Sequence, residues 1–236
     1  MMGKPLDGIR VFDITLAGVG PWSTKLLGEL GADVIRVDAP GRVGDEALGN
    51  AQIIYLAANN NKRSVMLDLK DAKHREAVYR LLPTCDVFVE NMRPGAISRL
   101  GLDYETVSKI NPRMVYLSAS GFGQTGPMVP RPGADAQVQA ISGFTSVTGP
   151  EGGELEFFRS FFHLDYTTSQ YIAQAILMAL YARTRTGKGQ KVEVAMLAAA
   201  SPPREVSRRM FKSRSTRGLH AAVQVTPGSR AESRCF

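Results

Sequence analysis

Residues 9–38 constrain the fold more than any other part of the chain. Ile9-Arg10-Val11-Phe12-Asp13-Ile14 is a short apolar run of strand character, and residues 15–21 after it are small and glycine-rich. Trp22 to Leu30 reads as a helix ended by Gly31, and Val34-Ile35-Arg36-Val37-Asp38 as a second strand. A strand, a glycine loop, a helix and a strand in so short a span make a βαβ unit. Its two strands must run parallel, joined by a right-handed crossover. The loop Gly18-Val19-Gly20-Pro21-Trp22-Ser23 approaches the dinucleotide-binding fingerprint, with Asp38 twenty residues beyond Gly18. Ser23 replaces the third glycine, however, and Thr15-Leu16-Ala17 separate the glycines from the strand. The loop therefore predicts a nucleotide-containing ligand rather than a nicotinamide cofactor.

The alternation continues. A short helical pattern at Ile53 to Ala58 precedes a strand over Ser64 to Leu69, and a helix over Asp71 to Leu82 precedes a strand over Asp86 to Glu90. Short helices at Ala96 to Leu100 and Tyr104 to Asn111 lead to a strand over Met114 to Ser118, and Ala136 to Ser142 is again helical. The expected fold class is α/β, a Rossmann-like parallel sheet. Two loops lie at the carboxyl ends of strands, where such sheets bind ligands: Asn91-Met92-Arg93-Pro94-Gly95 and Gly121-Phe122-Gly123-Gln124-Thr125-Gly126-Pro127.

Asp165 stands at the front of a long apolar stretch. Ala173, Ile176, Leu177, Leu180 and Tyr181 recur at three- and four-residue steps, and Ala175, Met178 and Ala179 widen that face. The pattern predicts a helix buried on most sides, ending between Arg183 and Lys188 with Gly187 as its cap. Lys191 to Met196 then alternates like a strand. On this pattern alone Asp165 is an N-cap, a role worth about 0.5–2 kcal/mol.

At 236 residues the chain can bury one substantial core. Its formal charge of +7 suggests nucleic acid until it is located: residues 201–236 hold eight of the 29 basic and two of the 22 acidic residues, a net of +6, which leaves +1 for residues 1–200. The folded part is nearly neutral, so neither nucleic acid nor a membrane is an expected partner. Cys85 and Cys235 make no disulfide framework, and His74, His163 and His220 are scattered, so no metal site is expected and a reducing cytoplasm is the default location.

Several segments, taken in order, resemble the family III coenzyme A transferases, the group of formyl-CoA and carnitine CoA-transferases. They are Leu6-Asp7-Gly8 into Asp13, Ala17 to Pro21, Leu30-Gly31-Ala32-Asp33-Val34-Ile35, Asn61-Lys62-Arg63-Ser64, Val89 to Gly95, Ser120-Gly121-Phe122-Gly123-Gln124 and Arg185-Thr186-Gly187-Lys188-Gly189-Gln190. The resemblance covers about residues 5–200 and changes the reading of Asp165, which it implies to be the nucleophile. The carboxylate would attack an acyl-CoA thioester, and CoA would pass through an aspartyl thioester to a carboxylic acid acceptor. CoA and acyl-CoA are then substrates, with no cofactor bound permanently.

The resemblance places CoA contacts on Ala17, Lys70, Asn91, Met92 and Arg99. The glutamine that formyl-CoA transferase carries in its first loop falls on Gly18 here, and the family's adenine-side arginine on Ala39, which argues against formate or oxalate specificity. The related α-methylacyl-CoA racemases carry Gly-His-Asp where this chain has Gly133-Ala134-Asp135. The racemase base is missing, so transferase is favoured, with an inactive CoA-binding fragment as a further alternative. The intact family member is a homodimer whose second, small domain and returning segment follow the large domain. The expectation for this chain is a large-domain part over 1–200, lacking the small domain, and a basic, disordered or frameshifted tail over 201–236.

Overall fold

The computed structural model describes residues 3–41, 50–146, 148, 153–158, 162–200 and 223–226. It opens with the expected βαβ unit: β1 (Arg10–Asp13), α1 (Val19–Glu29) and β2 (Asp33–Asp38), the strands parallel with Val11 opposite Val34. Next, α2 (Asn50–Ala58) leads to β3 (Lys62–Met66), and α3 (Ala72–Leu81) to β4 (Val87–Glu90). Two short helices, α4 (Ala96–Arg99) and α5 (Tyr104–Ile110), lead to β5 (Val115–Ser120). Between β5 and β6 (Gln190–Ala195) stand α6 (Asp135–Ser142) and the long α7 (His163–Thr186), and α8 (Met196–Ala200) follows. The strand β7 (Val223–Thr226) completes a seven-stranded sheet of order β3-β2-β1-β4-β5-β6-β7, in which the first six strands run parallel. The α/β class with a Rossmann-like parallel sheet, read from the sequence, is the fold.

Two boundaries differ from the sequence pattern. β3 starts and stops earlier than the expected 64–69. Lys62 is drawn inward by Asp13, and Asp68 turns the chain by accepting from the Lys70 amide at 2.9 Å. Within the tail expected to lack structure, β7 pairs antiparallel with β6, Val223 opposite Val194. Its β-branched alternation suits an edge strand. The rest of that tail, with Cys235 and His220, lies outside the described residues.

Side chains along each strand alternate between two apolar layers. Val11, Val87, Val89, Val115 and Leu117 face α1 and α7 in one cluster with Leu27, Ile172 and Ile176. Phe12, Phe88 and Tyr116 face the other way, among Val78, Leu82, Leu102 and Val107. These three rings occupy register-matched positions on β1, β4 and β5, and stack at centroid distances of 5.5 and 4.8 Å. That run across adjacent strands fixes the centre of the sheet. α7 ends where predicted: Gly187 takes φ 69°, its amide donates to the Arg183 carbonyl, and the buried Arg183 guanidinium reaches Asp86 at 2.8 Å.

Candidate active site

The strand order reverses direction beside β1, where β2 lies on one side and β4 on the other. The loops after β1 and β4 therefore open a crevice at the carboxyl edge, the usual ligand site of such sheets. Asn91, just past β4, closes the pair reciprocally: its Oδ1 accepts from the Leu16 amide at 2.8 Å, and its Nδ2 donates to the Leu16 carbonyl at 2.8 Å. Ala17, next along the loop, is held at φ 61°, a conformation that L residues rarely adopt. Gly18 then precedes α1 at its N-cap position, and a Cβ built on it would stand 2.8 Å from Asp165 Oδ2. Asp165, 147 residues away in the chain, thus lies against the loop that carries Ala17.

Asp165 is not the N-cap that its position suggested. α7 begins two residues earlier, at His163, and the capping carboxylate comes from another helix. Asp135, buried at the start of α6, accepts with Oδ2 from the Leu164 amide at 2.7 Å and the Asp165 amide at 3.0 Å. Its Oδ1 is held by Gln139 Nε2, and Gln139 Oε1 in turn accepts from the Phe158 amide at 2.9 Å. Asp165 is left with no hydrogen bond to its carboxylate among the described residues. Burial first, and the neighbouring Asp135 charge second, push its carboxyl up to about 7. A partly desolvated carboxylate of this kind, beside a loop with Ala17 at positive φ, is a candidate reactive group.

The other expected contacts divide. Ala17, Asn91 and Met92 converge at the crevice, although the Asn91 amide is engaged with Leu16. Met92 packs on the aromatic layer while its own amide donates to Glu90 Oε2 at 2.8 Å. Lys70 lies in the turn after β3, the outermost strand, and Arg99 ends α4. Both are exposed and without an ion pair among the described residues. Neither cation forms a hydrogen bond or ion pair with Asp165 among the described residues. Sequence reading missed Asp135, singled out only as the residue after the absent racemase histidine, and it missed a buried charge network around Asp13 and Lys62. An acidic residue heading a helix pattern thirty residues before Asp165 was the one available signal for the former. Among the described residues no group of three or more metal-ligating side chains stands together, and no helix is long and apolar enough to cross a membrane.

A sequence profile of CoA-transferase family III matches residues 6–216. The chain belongs to CoA-transferase family III. The matched span runs past the residue-200 boundary drawn from the sequence pattern. The chain is 39% identical over 201 residues to human succinyl-CoA:glutarate CoA-transferase, covering 82% of this chain and 45% of that protein. It is 39% identical over 198 residues to acetyl-CoA:oxalate CoA-transferase of Acetobacter aceti, covering 81% and 51%. The chain therefore spans about half the length of the relatives it matches. Among solved structures, Rv3272 of M. tuberculosis superposes with a TM-score of 0.82 at 34% identity, over 91% of this chain and 61% of that one. A CAIB/BAIF family protein from Brucella suis gives 0.81 at 33%, over 90% and 59%.

Proposed function

We propose that the protein of which these residues form the large domain transfers coenzyme A from an acyl-CoA to a carboxylic acid, with Asp165 as nucleophile. The observation that carries this reading is the Asp165 carboxylate itself: partly buried, without a hydrogen-bond donor among the described residues, and placed against the β1 loop. Its oxygen attacks the thioester carbonyl, the C–S bond breaks, and a mixed anhydride and CoA thiolate result. The thiolate attacks the aspartyl carbonyl and expels the donor's acid, leaving an aspartyl-CoA thioester. The acceptor carboxylate attacks that thioester, and the returning thiolate takes the acceptor's acyl group, which frees Asp165. Every intermediate is an activated acyl group, so the exchange needs no ATP. A raised carboxyl suits the role, because a more basic carboxylate is the better nucleophile and about half of it is ionised at neutral pH.

The named relatives act on small acyl-CoA donors with dicarboxylic acid acceptors, and we assign the same class here, with Ala17, Asn91 and Met92 lining the CoA side and Lys70 and Arg99 reaching outlying phosphates. Exposed Tyr166, Tyr171, Met178 and Tyr181 along α7 fit a homodimer, and the cysteine usage fits a reducing cytoplasm. Proton transfer of the racemase kind lacks its base, because Ala134 occupies that position. The test is capture. Incubation with a panel of acyl-CoA donors followed by hydroxylamine converts Asp165 to a hydroxamate detected by mass spectrometry, and no adduct forms in Asp165→Asn. A panel that yields no Asp165-dependent adduct overturns the reading.

A further inference from the structure

Lys62 is, among the described ion-paired cations, the best enclosed. Its side chain is 1% exposed, and its Nζ donates to three acceptors from three elements: Asp13 Oδ2 on β1 at 3.0 Å, the Pro21 carbonyl in α1 at 2.8 Å, and Asn59 Oδ1 after α2 at 2.7 Å. Asp13, fully buried, accepts as well from the Thr15 amide at 2.9 Å, the Thr15 hydroxyl at 2.5 Å and the Thr24 hydroxyl at 2.6 Å. The Thr15 side chain lies so close to Gly20 that a Cβ there would overlap it. The turn from Thr15 to Pro21 is thus tied at both ends to one ammonium, directly at Pro21 and through Asp13 at Thr15. Arg36 cannot replace that link, because its Nη1 stands 3.7 Å from Asp13 Oδ2, makes no hydrogen bond, and its Nε is engaged with Asp38.

We propose that Lys62 is a positioning residue for the transfer reaction: through Asp13 and the Pro21 carbonyl it holds the Ala17–Gly18 turn against Asp165. The inference rests on Asp165 being the nucleophile, but the geometry it concerns can be read without catalysis. The groups facing Lys62 are Asp13 from β1 and Arg36 and Asp38 from β2, with the Tyr55 hydroxyl of α2 donating to Asp38. Burial pushes the ammonium down to about 8 against the pull of Asp13. Above that pH the neutral amine has two N–H donors for three acceptors and has lost its attraction to Asp13, so the Asp13 contact is the one given up. Trp22, the single tryptophan, follows Pro21 directly and reports the turn by its emission.

The experiment measures Trp22 emission from about pH 6 to about pH 9, short of phenol ionisation, in an Asp165→Asn background, which removes a second carboxyl expected to titrate near the ring. An emission step centred near pH 8 is expected. It should vanish in Lys62→Arg, which stays charged, and in Lys62→Met, whose emission at neutral pH should already match the alkaline form. In the active chain, Lys62→Met should slow hydroxamate capture by about 10²-fold at saturating donor, with the half-saturating donor concentration unchanged, as expected for a misplaced nucleophile. A step that persists in Lys62→Arg, or native emission and capture in Lys62→Met, overturns the proposal. Should Lys62→Met fail to fold, the Lys62→Arg comparison decides alone. Absence of capture in every chain refutes Asp165 as nucleophile, and the emission step still decides what Lys62 holds.

Discussion

Gly18→Ala should leave the fold intact and disable the site. Gly18 has φ −95° and ψ −59°, a region open to any L residue, so alanine meets no backbone strain. Its methyl group would stand 2.8 Å from Asp165 Oδ2 and 3.0 Å from Trp22 Cζ3. Comfortable contacts lie near 3.5 Å, so the carboxylate must retreat by about 0.5 Å or more. No hydrogen bond among the described residues holds it, and the movement costs little. Replacing glycine also restricts the unfolded chain, a gain of about 0.4–1 kcal/mol that offsets the crowding. The expected result is stability within about 1 kcal/mol of the native chain in urea unfolding, together with hydroxamate capture slowed by about 10²-fold. Native capture in a folded Gly18→Ala chain would mean that attack does not occur from this carboxylate position. A loss of stability above about 3 kcal/mol would mean that Asp165 is rigidly held, contrary to the geometry.

Other substitutions separate the roles of neighbouring groups. Capture should rise with pH and level off above about 7, since only the ionised Asp165 attacks; Asp135→Asn should move that midpoint lower and cost about 1 kcal/mol through the weakened cap of α7. The raised carboxyl binds its proton more tightly folded than unfolded, so its contribution to stability is full below about pH 4 and is lost as pH rises through about 7. Asp165→Asn should flatten that decline, by at most about 4 kcal/mol and by about 2 once solvent screening of a partly exposed group is allowed for; parallel pH curves for the two chains would refute this. Arg183→Met strips partners from Asp86 and from the Arg113 carbonyl, 3.0 Å away, and should cost about 2–3 kcal/mol with the capture rate of the folded chain unaltered. Gly189→Ala puts a methyl 2.0 Å from the Met114 carbonyl, a main-chain atom that cannot swing aside, and should cost about 3 kcal/mol in the same unfolding assay.

The fold was legible because its signals are local. Short apolar runs at β1, β4 and β5, glycine after α7 and short βα loops each follow from a few adjacent residues, whereas the order β3-β2-β1-β4-β5-β6 is set by long-range pairing that no local pattern gives. Asp165 was singled out only through resemblance, since its own neighbourhood reads as a cap. Its true environment comes from Asp135 and Gly18, 30 and 147 residues away, and no periodicity encodes that approach. Lys62 shows the same limit from the other side. In sequence it is one of four residues in a polar tetrad, and only the sheet places its ammonium under Asp13. β7 was hidden by the basic residues around it, because overall charge said nothing about the four-residue alternation at Val223–Thr226.

These placements share one physical logic. A carboxylate able to attack a thioester must be less well solvated than an ordinary surface aspartate, and such a group destabilises the fold that holds it. The surrounding contacts supply the opposing stability from groups that never touch the reacting atoms. Asp135 makes two main-chain bonds that an N-cap ordinarily makes one at a time, Asn91 makes a reciprocal pair with Leu16, and Lys62 makes three contacts from one atom. Asp135 anchors the start of α7, Asn91 and Lys62 anchor the loop after β1, and among the described residues none of them bonds the Asp165 carboxylate. Had Asp165 served as its own helix cap, the same amides would have lowered its basicity and occupied the oxygens needed for attack. Moving the cap to Asp135 separates the two tasks, and the like charge it brings raises the basicity of the proposed nucleophile further.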